Sequence, residues 1–160
     1  MPEIKINFDE ILDRSLLSSE ELDLLNRAKE ILETAYAPYS KFSVGATLLL
    51  EDGSYVSGNN QENASFPCGI CAERVALFTT KANNPNIKIR KIAVTTKSLE
   101  FTKEDPIAPC GMCRQVLLEY EEQQKEPIQV FLFNEKKILK FHKAKDLLPL
   151  YFSENRLKRK

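Results

Sequence analysis

The apolar and polar residues of the first half of the chain follow the period of an α-helix and then that of a β-hairpin. The segment SSEELDLLNRAKEILETAY opens with Ser18 and has Glu21 three residues later, the spacing of a capping box. Apolar residues then recur at helical spacing, at Leu22, Leu25, Ile31, Leu32 and Ala35. This spacing predicts an amphipathic helix that ends before Pro38. SVGATLLL and YVSGN flank EDGS, whose Asp-Gly pair predicts a hairpin turn.

The second half of the chain alternates short helical and strand-like segments. CAERVALFTTKA and CRQVLLEYEEQ have the helical period, and KIAVTT between them is typical of a strand. IQVFLFN and KKILKFHK form a last pair, separated by a short link around Asn134 and Glu135. Because so short a link cannot make a parallel crossover, these two strands should be antiparallel. The order of elements predicts an α/β fold with one mixed five-stranded sheet covered by helices.

Length and composition limit the classes of function. With 160 residues, the chain is expected to form one domain at 18–153, with an N-terminal extension at 1–17 and a basic, solvated tail at 154–160. The 23 basic residues balance the 23 acidic ones, which argues against a nucleic-acid partner. The N-terminus lacks the pattern of a signal peptide, and no apolar run is long enough to span a bilayer. We therefore expect a cytoplasmic protein with no membrane partner.

All four cysteines lie in two similar pentapeptides, PCGIC at 67–71 and PCGMC at 109–113. In a cytoplasmic protein such spacings indicate metal or redox chemistry more often than disulfides. Both pentapeptides should lie at helix N-termini, where the helix dipole favours thiolates. Spacing alone leaves two interpretations open. Four thiolates can close around a structural zinc ion, or three can bind it and leave one position to water.

The residues that follow the first pentapeptide favour the open site. Cys71-Ala72-Glu73 places a carboxylate two positions from a thiolate, where it can take a proton from a metal-activated water and deliver it to a leaving group. Three thiolates leave zinc with a net negative charge, which weakens its acidity. The adjacent Arg74 can offset that charge by hydrogen bonding to sulfur.

Together, NNQENASFPCGICAERVALF and IAPCGMCRQVLLEY closely resemble the small cytidine deaminases, over residues from about 20 to 153. The resemblance implies a three-layer α-β-α fold and zinc held by Cys71, Cys110 and Cys113, with Cys68 outside the site. It implies hydrolytic deamination of cytidine and deoxycytidine in pyrimidine salvage. In that reaction Glu73 takes a proton from water and passes it to N3 of the pyrimidine. Water adds at C4, and ammonia then leaves.

The same resemblance implies a set of substrate-binding residues. Phe42 would pack against the pyrimidine, and Asn60 and Glu62 would hydrogen-bond the ribose hydroxyls. The further contacts would come from Ala64, Ala72 and Phe152. Asn60 and Glu62 are two positions apart, so on an extended segment their side chains point the same way. A carboxylate at the sugar site repels a 5′-phosphate, so nucleosides should be preferred over nucleotides.

Homotetramers with active sites shared between subunits are also implied, with Phe152 or Tyr151 reaching a neighbouring site and Tyr39 near a subunit contact. Phe66 lies where some relatives have tyrosine, so a hydroxyl contact there is missing. His142, the only histidine, is expected to be structural or on the surface. Two alternatives stay open: a deaminase of another aminopyrimidine such as blasticidin S, and a noncatalytic four-cysteine zinc module.

Overall fold

The computed structural model describes residues 1–98, 100–101 and 104–153, so the basic tail predicted at 154–160 lies outside the described residues. Within them the chain forms three α-helices and one six-stranded sheet. The elements are β1 (Phe8–Ile11), α1 (Ser19–Leu32), β2 (Phe42–Leu50), β3 (Tyr55–Asn59), α2 (Ala72–Asn83), β4 (Ile89–Ser98), α3 (Gly111–Gln124), β5 (Gln129–Phe133) and β6 (Ile138–Phe141). In this described part, no helix combines the length and apolar character needed to cross a membrane.

The sheet has the strand order β1-β6-β5-β4-β2-β3, in which only β4 and β5 run parallel. The last two strands are antiparallel, and the mixed α/β sheet is confirmed. The prediction of five strands was one too few, because β1 pairs with β6 from Phe8 opposite Phe141 to Ile11 opposite Ile138. FDEI is short and exposed, with no apolar alternation to reveal it, and the pairing comes from backbone hydrogen bonds at the sheet edge.

The capping box predicted for α1 is present. The Ser18 hydroxyl accepts from the Glu21 backbone N–H at 3.2 Å, and the Glu21 carboxylate accepts from the Ser18 N–H at 3.0 Å. The helix ends at Leu32, earlier than Pro38 requires. Beyond it, the Tyr36 N–H donates to the Asn60 carbonyl, and the Tyr36 carbonyl accepts from residue 62. The chain therefore leaves the helix in order to pair with the segment that follows β3.

The sheet is covered on both faces, which gives the three-layer α-β-α arrangement. One apolar cluster joins α1 to one face, and its members include Leu24, Leu25, Ala28, Leu49, Ala93 and Phe131. A second cluster joins α2 and α3 to the opposite face, and its members include Ala72, Ala76, Leu77, Leu117, Leu48, Ile92 and Val130. Two glycines allow this close packing. A Cβ on Gly45 would lie 2.1 Å from the Ala28 carbonyl oxygen, and one on Gly58 would lie 2.6 Å from the Ala76 nitrogen.

Outside this core, His142 is exposed, as expected, and its Nε2 lies 3.2 Å from a carboxylate oxygen of Asp9.

Candidate active site

Three of the four cysteines converge where α2 and α3 begin. Cys71 is the N-cap of α2, Cys110 is the N-cap of α3, and Cys113 lies in the first turn of α3. Their sulfur atoms all lie within 4.8 Å of one another, with 4.0 Å between Cys71 and Cys110 and 3.6 Å between Cys110 and Cys113. Thiolates about 2.3 Å from a tetrahedral zinc ion are roughly 3.8 Å apart, so the three sulfurs fit such an ion.

The fourth cysteine stands apart from this cluster. Cys68 is exposed at the end of a short 3₁₀ turn, Phe66–Cys68, and among the described residues the group of candidate ligands holds only the other three cysteines. The arrangement therefore has the donor set of an open site with a position left for a non-protein ligand. The closed four-cysteine arrangement is not formed.

Two cysteines of the cluster differ in the direction in which their pKa is shifted. A hydrogen bond from Cys113 lowers the pKa of Cys71 to about 5 against the opposing effect of burial, and Arg74 adds to this with its Nη2 3.9 Å from the Cys71 sulfur. The same bond to Cys71, together with burial, raises the pKa of Cys113. The Arg74 Nε is buried and has no hydrogen-bond partner among the described residues. The Arg74 guanidinium therefore lies beside the Cys71 sulfur, where its positive charge favours the thiolate form of that residue.

Glu73 lies in the first turn of α2 beside this cluster and is only 3% exposed. Burial raises the pKa of its carboxyl group, and the negative charge on Cys71 adds to that effect. A buried carboxyl group of raised pKa, next to a cluster that could hold a metal ion, is suited to accept a proton and return it.

A cavity of about 470 Å³ extends from the cysteines to the loop that precedes β2. This volume suits a small organic molecule. Of the residues predicted for the site, Cys71, Cys110, Glu73, Phe42, Asn60 and Glu62 line the cavity. The structure therefore brings candidate chemical groups and half of the candidate substrate contacts to one cavity.

The two polar residues expected at the sugar are already held by hydrogen bonds. The Asn60 side chain is buried and bonds the backbone of β2 at both ends: its Oδ1 accepts from the Val44 N–H at 2.8 Å, and its Nδ2 donates to the Phe42 carbonyl at 2.9 Å. Partial burial opposes ionisation of Glu62, but hydrogen bonds from Ser40 and from the Tyr39 backbone outweigh it and lower the pKa of that carboxyl group. Glu62 is therefore held as a carboxylate.

Three predicted substrate contacts lie outside this cavity. Ala64 is exposed, Ala72 is fully buried at the start of α2, and neither lines the space. The Phe152 ring is 67% exposed, while its backbone carbonyl accepts from Gln115 at 2.9 Å. The roles of all three stay predictions.

Sequence reasoning missed several residues that line the cavity: Ser40, Val44, Val94, Thr96, Ile107 and Ala108. Ile107 and Ala108 directly precede the second cysteine pentapeptide, and Ser40 lies two residues before Phe42. Their closeness to a motif was therefore a usable signal. Val94 and Thr96 belong to β4, and only the register of the sheet brings them to the site.

Comparison with known proteins agrees with this geometry. The family described as the cytidine and deoxycytidylate deaminase zinc-binding region matches residues 18–125. The chain is 45% identical over 96 residues to the cytidine deaminase of Halalkalibacterium halodurans, a match that spans 60% of this chain and 68% of that protein. It is 38% identical over 135 residues to the cytidine deaminase of Sporosarcina psychrophila, spanning 84% and 92% of the two chains.

Solved structures show the same likeness in three dimensions. The crystal structure of cytidine deaminase from Burkholderia pseudomallei matches with a TM-score of 0.70 and 41% identity, over 82% of this chain and 98% of that one. That of cytidine deaminase from Mycobacterium tuberculosis matches with a TM-score of 0.66 and 29% identity, over 85% and 99%.

Proposed function

The chain belongs to the cytidine and deoxycytidylate deaminase family, and we propose from this premise that it hydrolyses cytidine and deoxycytidine to uridine and deoxyuridine with release of ammonia. The observation that carries the proposal is the position of Glu73. Its buried carboxyl group lines the same cavity as Cys71 and Cys110 of the three-cysteine cluster. Zinc is the metal that we assign to this cluster, because three thiolates and one open position match its preferred donors and geometry.

When bound, zinc supplies a Lewis acid that lowers the pKa of a coordinated water. Glu73 takes the proton of the attacking water and delivers it to N3 of the pyrimidine, which makes C4 more electrophilic. After water has added at C4, the Glu73 carboxylate takes the remaining proton from the new C4 hydroxyl and passes it to the amine. The C4–N bond then breaks, ammonia leaves, and C4 becomes the carbonyl carbon of uridine. A single buried group whose pKa is raised can serve in both directions.

The other end of the cavity supplies the contacts that distinguish nucleosides. In this proposal Phe42 packs against the pyrimidine and Glu62 accepts hydrogen bonds from sugar hydroxyls, which their positions in the lining of the cavity support. Asn60 keeps a second N–H and a second lone pair for the same sugar. A 5′-phosphate would bring negative charge towards Glu62, so nucleotides should be poor substrates.

We also propose that the protein is a cytoplasmic homotetramer. Exposed aromatic rings at Tyr39, Phe66 and Phe152 support an assembly in which another copy covers them. Phe152 then acts at the site of a neighbouring subunit and not at its own.

The test is ammonia release by zinc-loaded protein of measured metal content, offered cytidine, deoxycytidine, cytosine, cytidine monophosphate and blasticidin S. Turnover of the two nucleosides alone is the expected result. It would support both the proposed chemistry at Glu73 and the recognition of the sugar by Asn60 and Glu62. Turnover of blasticidin S alone would replace the substrate assignment. No turnover of any of the five by protein with full zinc content would overturn the proposed function.

A further inference from the structure

Ser40 connects two predicted substrate contacts, Phe42 and Glu62, at the end of the cavity where the sugar is expected to bind. Its hydroxyl donates to Oε1 of Glu62, and its Oγ accepts from the Phe42 N–H at 3.1 Å. The residue itself lines the cavity. One hydroxyl group therefore bonds both the carboxylate expected at the sugar and the backbone of the aromatic residue expected at the base.

The loop around Ser40 surrounds the carboxylate with donors. Oε2 of Glu62 accepts from the Tyr39 N–H at 3.0 Å and from the Ser40 N–H at 3.3 Å, while Oε1 accepts only the Ser40 hydroxyl among these donors. Each carboxylate oxygen can accept two hydrogen bonds, so Oε2 is filled and Oε1 keeps one acceptor position. The Ser40 hydroxyl thus fixes the oxygen that remains able to bind a sugar hydroxyl.

The backbone of this loop is held in a conformation that few residues adopt. Lys41 has a φ of 53°, in the left-handed region, and its N–H donates to the Ala37 carbonyl at 3.1 Å. Non-glycine residues persist there when the surroundings determine the conformation, and ligand clamps are common sites of such strain. The turn at Lys41 returns the chain so that the Phe42 N–H reaches the Ser40 hydroxyl.

We propose that Ser40 is a positioning residue that orients the Glu62 carboxylate towards the sugar of the nucleoside and so determines affinity for substrate. This inference rests on the proposed function. Ser40 acts through Glu62, so its removal should weaken substrate binding without changing the chemical step. An interaction made equally in the ground state and the transition state alters KM and leaves kcat unchanged.

The chain offers a matched control. In the exposed turn between β2 and β3, the Ser54 hydroxyl donates to Asp52 at 2.6 Å and the Ser54 N–H donates to the same oxygen at 2.9 Å. This serine–carboxylate pair does not line the cavity. Ser54→Ala removes the same kind of hydrogen bond at a site without a predicted function.

The experiment is a double-mutant cycle on the zinc-loaded enzyme, with cytidine as substrate and thermal unfolding of every variant recorded. Ser40→Ala should raise KM about tenfold with kcat little changed, since hydrogen bonds to charged groups have effects of that size. In a Glu62→Ala background, the same change should alter kcat/KM less than about twofold, because the group through which Ser40 acts is gone. Ser40→Thr keeps a hydroxyl and should restore most of the parental KM, while Ser54→Ala should keep the parental constants.

Equal effects of Ser40→Ala in the parent and in the Glu62→Ala background would overturn the inference and leave the proposed function standing. A fall in kcat with unchanged KM would do the same, since it would place Ser40 at the chemical step. If the zinc-loaded parent does not turn over cytidine, the proposed function fails and the inference fails with it.

Discussion

The two ends of the cavity are held in place by different kinds of structure. At the metal end, Cys71, Cys110 and Glu73 lie at the N-caps or in the first turn of α2 and α3, so helix backbone fixes them. At the sugar end, Asn60 and Glu62 follow the last residue of β3 and are fixed by hydrogen bonds from β2 and from the loop before it. Each side chain of the metal end is fixed by the first turn of its own helix, although the two helices come from distant parts of the chain. The side chains of the sugar end are fixed instead by hydrogen bonds with the backbone of β2 and of the loop before it.

Because of this difference, substitutions at the two ends should have different effects on the kinetics of the enzyme. In the proposed reaction the groups at the metal end act on the reacting atoms, so their loss should remove the reaction itself. In the same proposal the groups at the sugar end contact a part of the substrate that does not react, so their loss should appear mainly in KM. Substitutions at each end therefore test whether the division between chemistry and recognition holds.

The largest effect should come from removing a metal-binding thiolate. Cys113→Ala takes a fully buried sulfur from the cluster and leaves only two, too few to hold zinc tightly with these donors. We expect the purified variant to contain almost no zinc and to release no detectable ammonia from cytidine. Metal analysis of the protein and a deamination assay measure both results.

Cys68→Ala is the matched control for this change. Cys68 belongs to the same pair of pentapeptides but lies exposed outside the cluster, so the variant should keep near-stoichiometric zinc and the parental rate. Loss of zinc from Cys68→Ala would restore the closed four-cysteine interpretation and remove the metal end of the comparison.

Glu73→Gln should have the next largest effect. The amide has nearly the same shape as the carboxyl group but cannot carry a proton between water and substrate. Turnover should fall by about 10³-fold, in the range that general acid–base catalysis contributes, with zinc content unchanged. Steady-state kinetics and metal analysis together distinguish this result from metal loss.

Glu119→Gln, on an exposed part of α3, makes the same chemical change away from the cavity and should leave the rate as it was. A Glu73→Gln variant with nearly parental turnover would exclude this residue as the proton carrier.

A smaller effect is expected at Arg74, which contacts the sulfur of Cys71 but does not line the cavity. Arg74→Gln removes the positive charge that offsets the thiolates. Zinc affinity should fall about tenfold or more, as happens when a partner of a metal ligand is lost. Competition with a chelator of known affinity measures the change.

Arg90→Gln is the corresponding control, because the Arg90 guanidinium pairs with Glu20 of α1 and is not among the residues that line the cavity. Equal zinc affinities for the Arg74→Gln and Arg90→Gln proteins would show that the guanidinium near the cluster does not influence the metal.

The same contrast explains what could be predicted from the sequence. The capping box at Ser18 and the cysteine pentapeptides are short local patterns, so the helices and the metal end followed from them. Val94 entered the cavity through the pairing of β4 with β2, a contact between distant segments that no local pattern encodes. Ser40 was missed for a related reason, since its hydrogen bond to Glu62 spans 22 positions of the chain. β1 was not predicted from the sequence, because an exposed edge strand needs no alternation of apolar and polar residues.

The last prediction concerns stability and distinguishes the two polar residues of the sugar end from each other. Asn60 is buried and bonds the β2 backbone at both ends of its amide, while the Glu62 carboxylate bonds an exposed loop. Asn60→Ala removes both hydrogen bonds between this buried amide and the backbone of β2, and should lower the free energy of unfolding by about 2 kcal/mol. Glu62→Ala should lower it by less than about 0.5 kcal/mol, although it weakens cytidine binding. Urea denaturation of the two variants measures both values.

Asn63→Ala is the control for the asparagine change, since Asn63 lies in the same segment but is exposed, and its side chain accepts from the Ser65 N–H at 2.8 Å. It should change the free energy of unfolding little. If Glu62→Ala proved as destabilising as Asn60→Ala, the loop before β2 would be part of the folded core. The sugar end would then be as rigid as the metal end, because its carboxylate would be fixed by core packing as firmly as Glu73 is fixed by α2. If only Asn60→Ala is destabilising, Asn60 has a structural role in the wall of the cavity, whereas Glu62 contributes to substrate binding and little to stability.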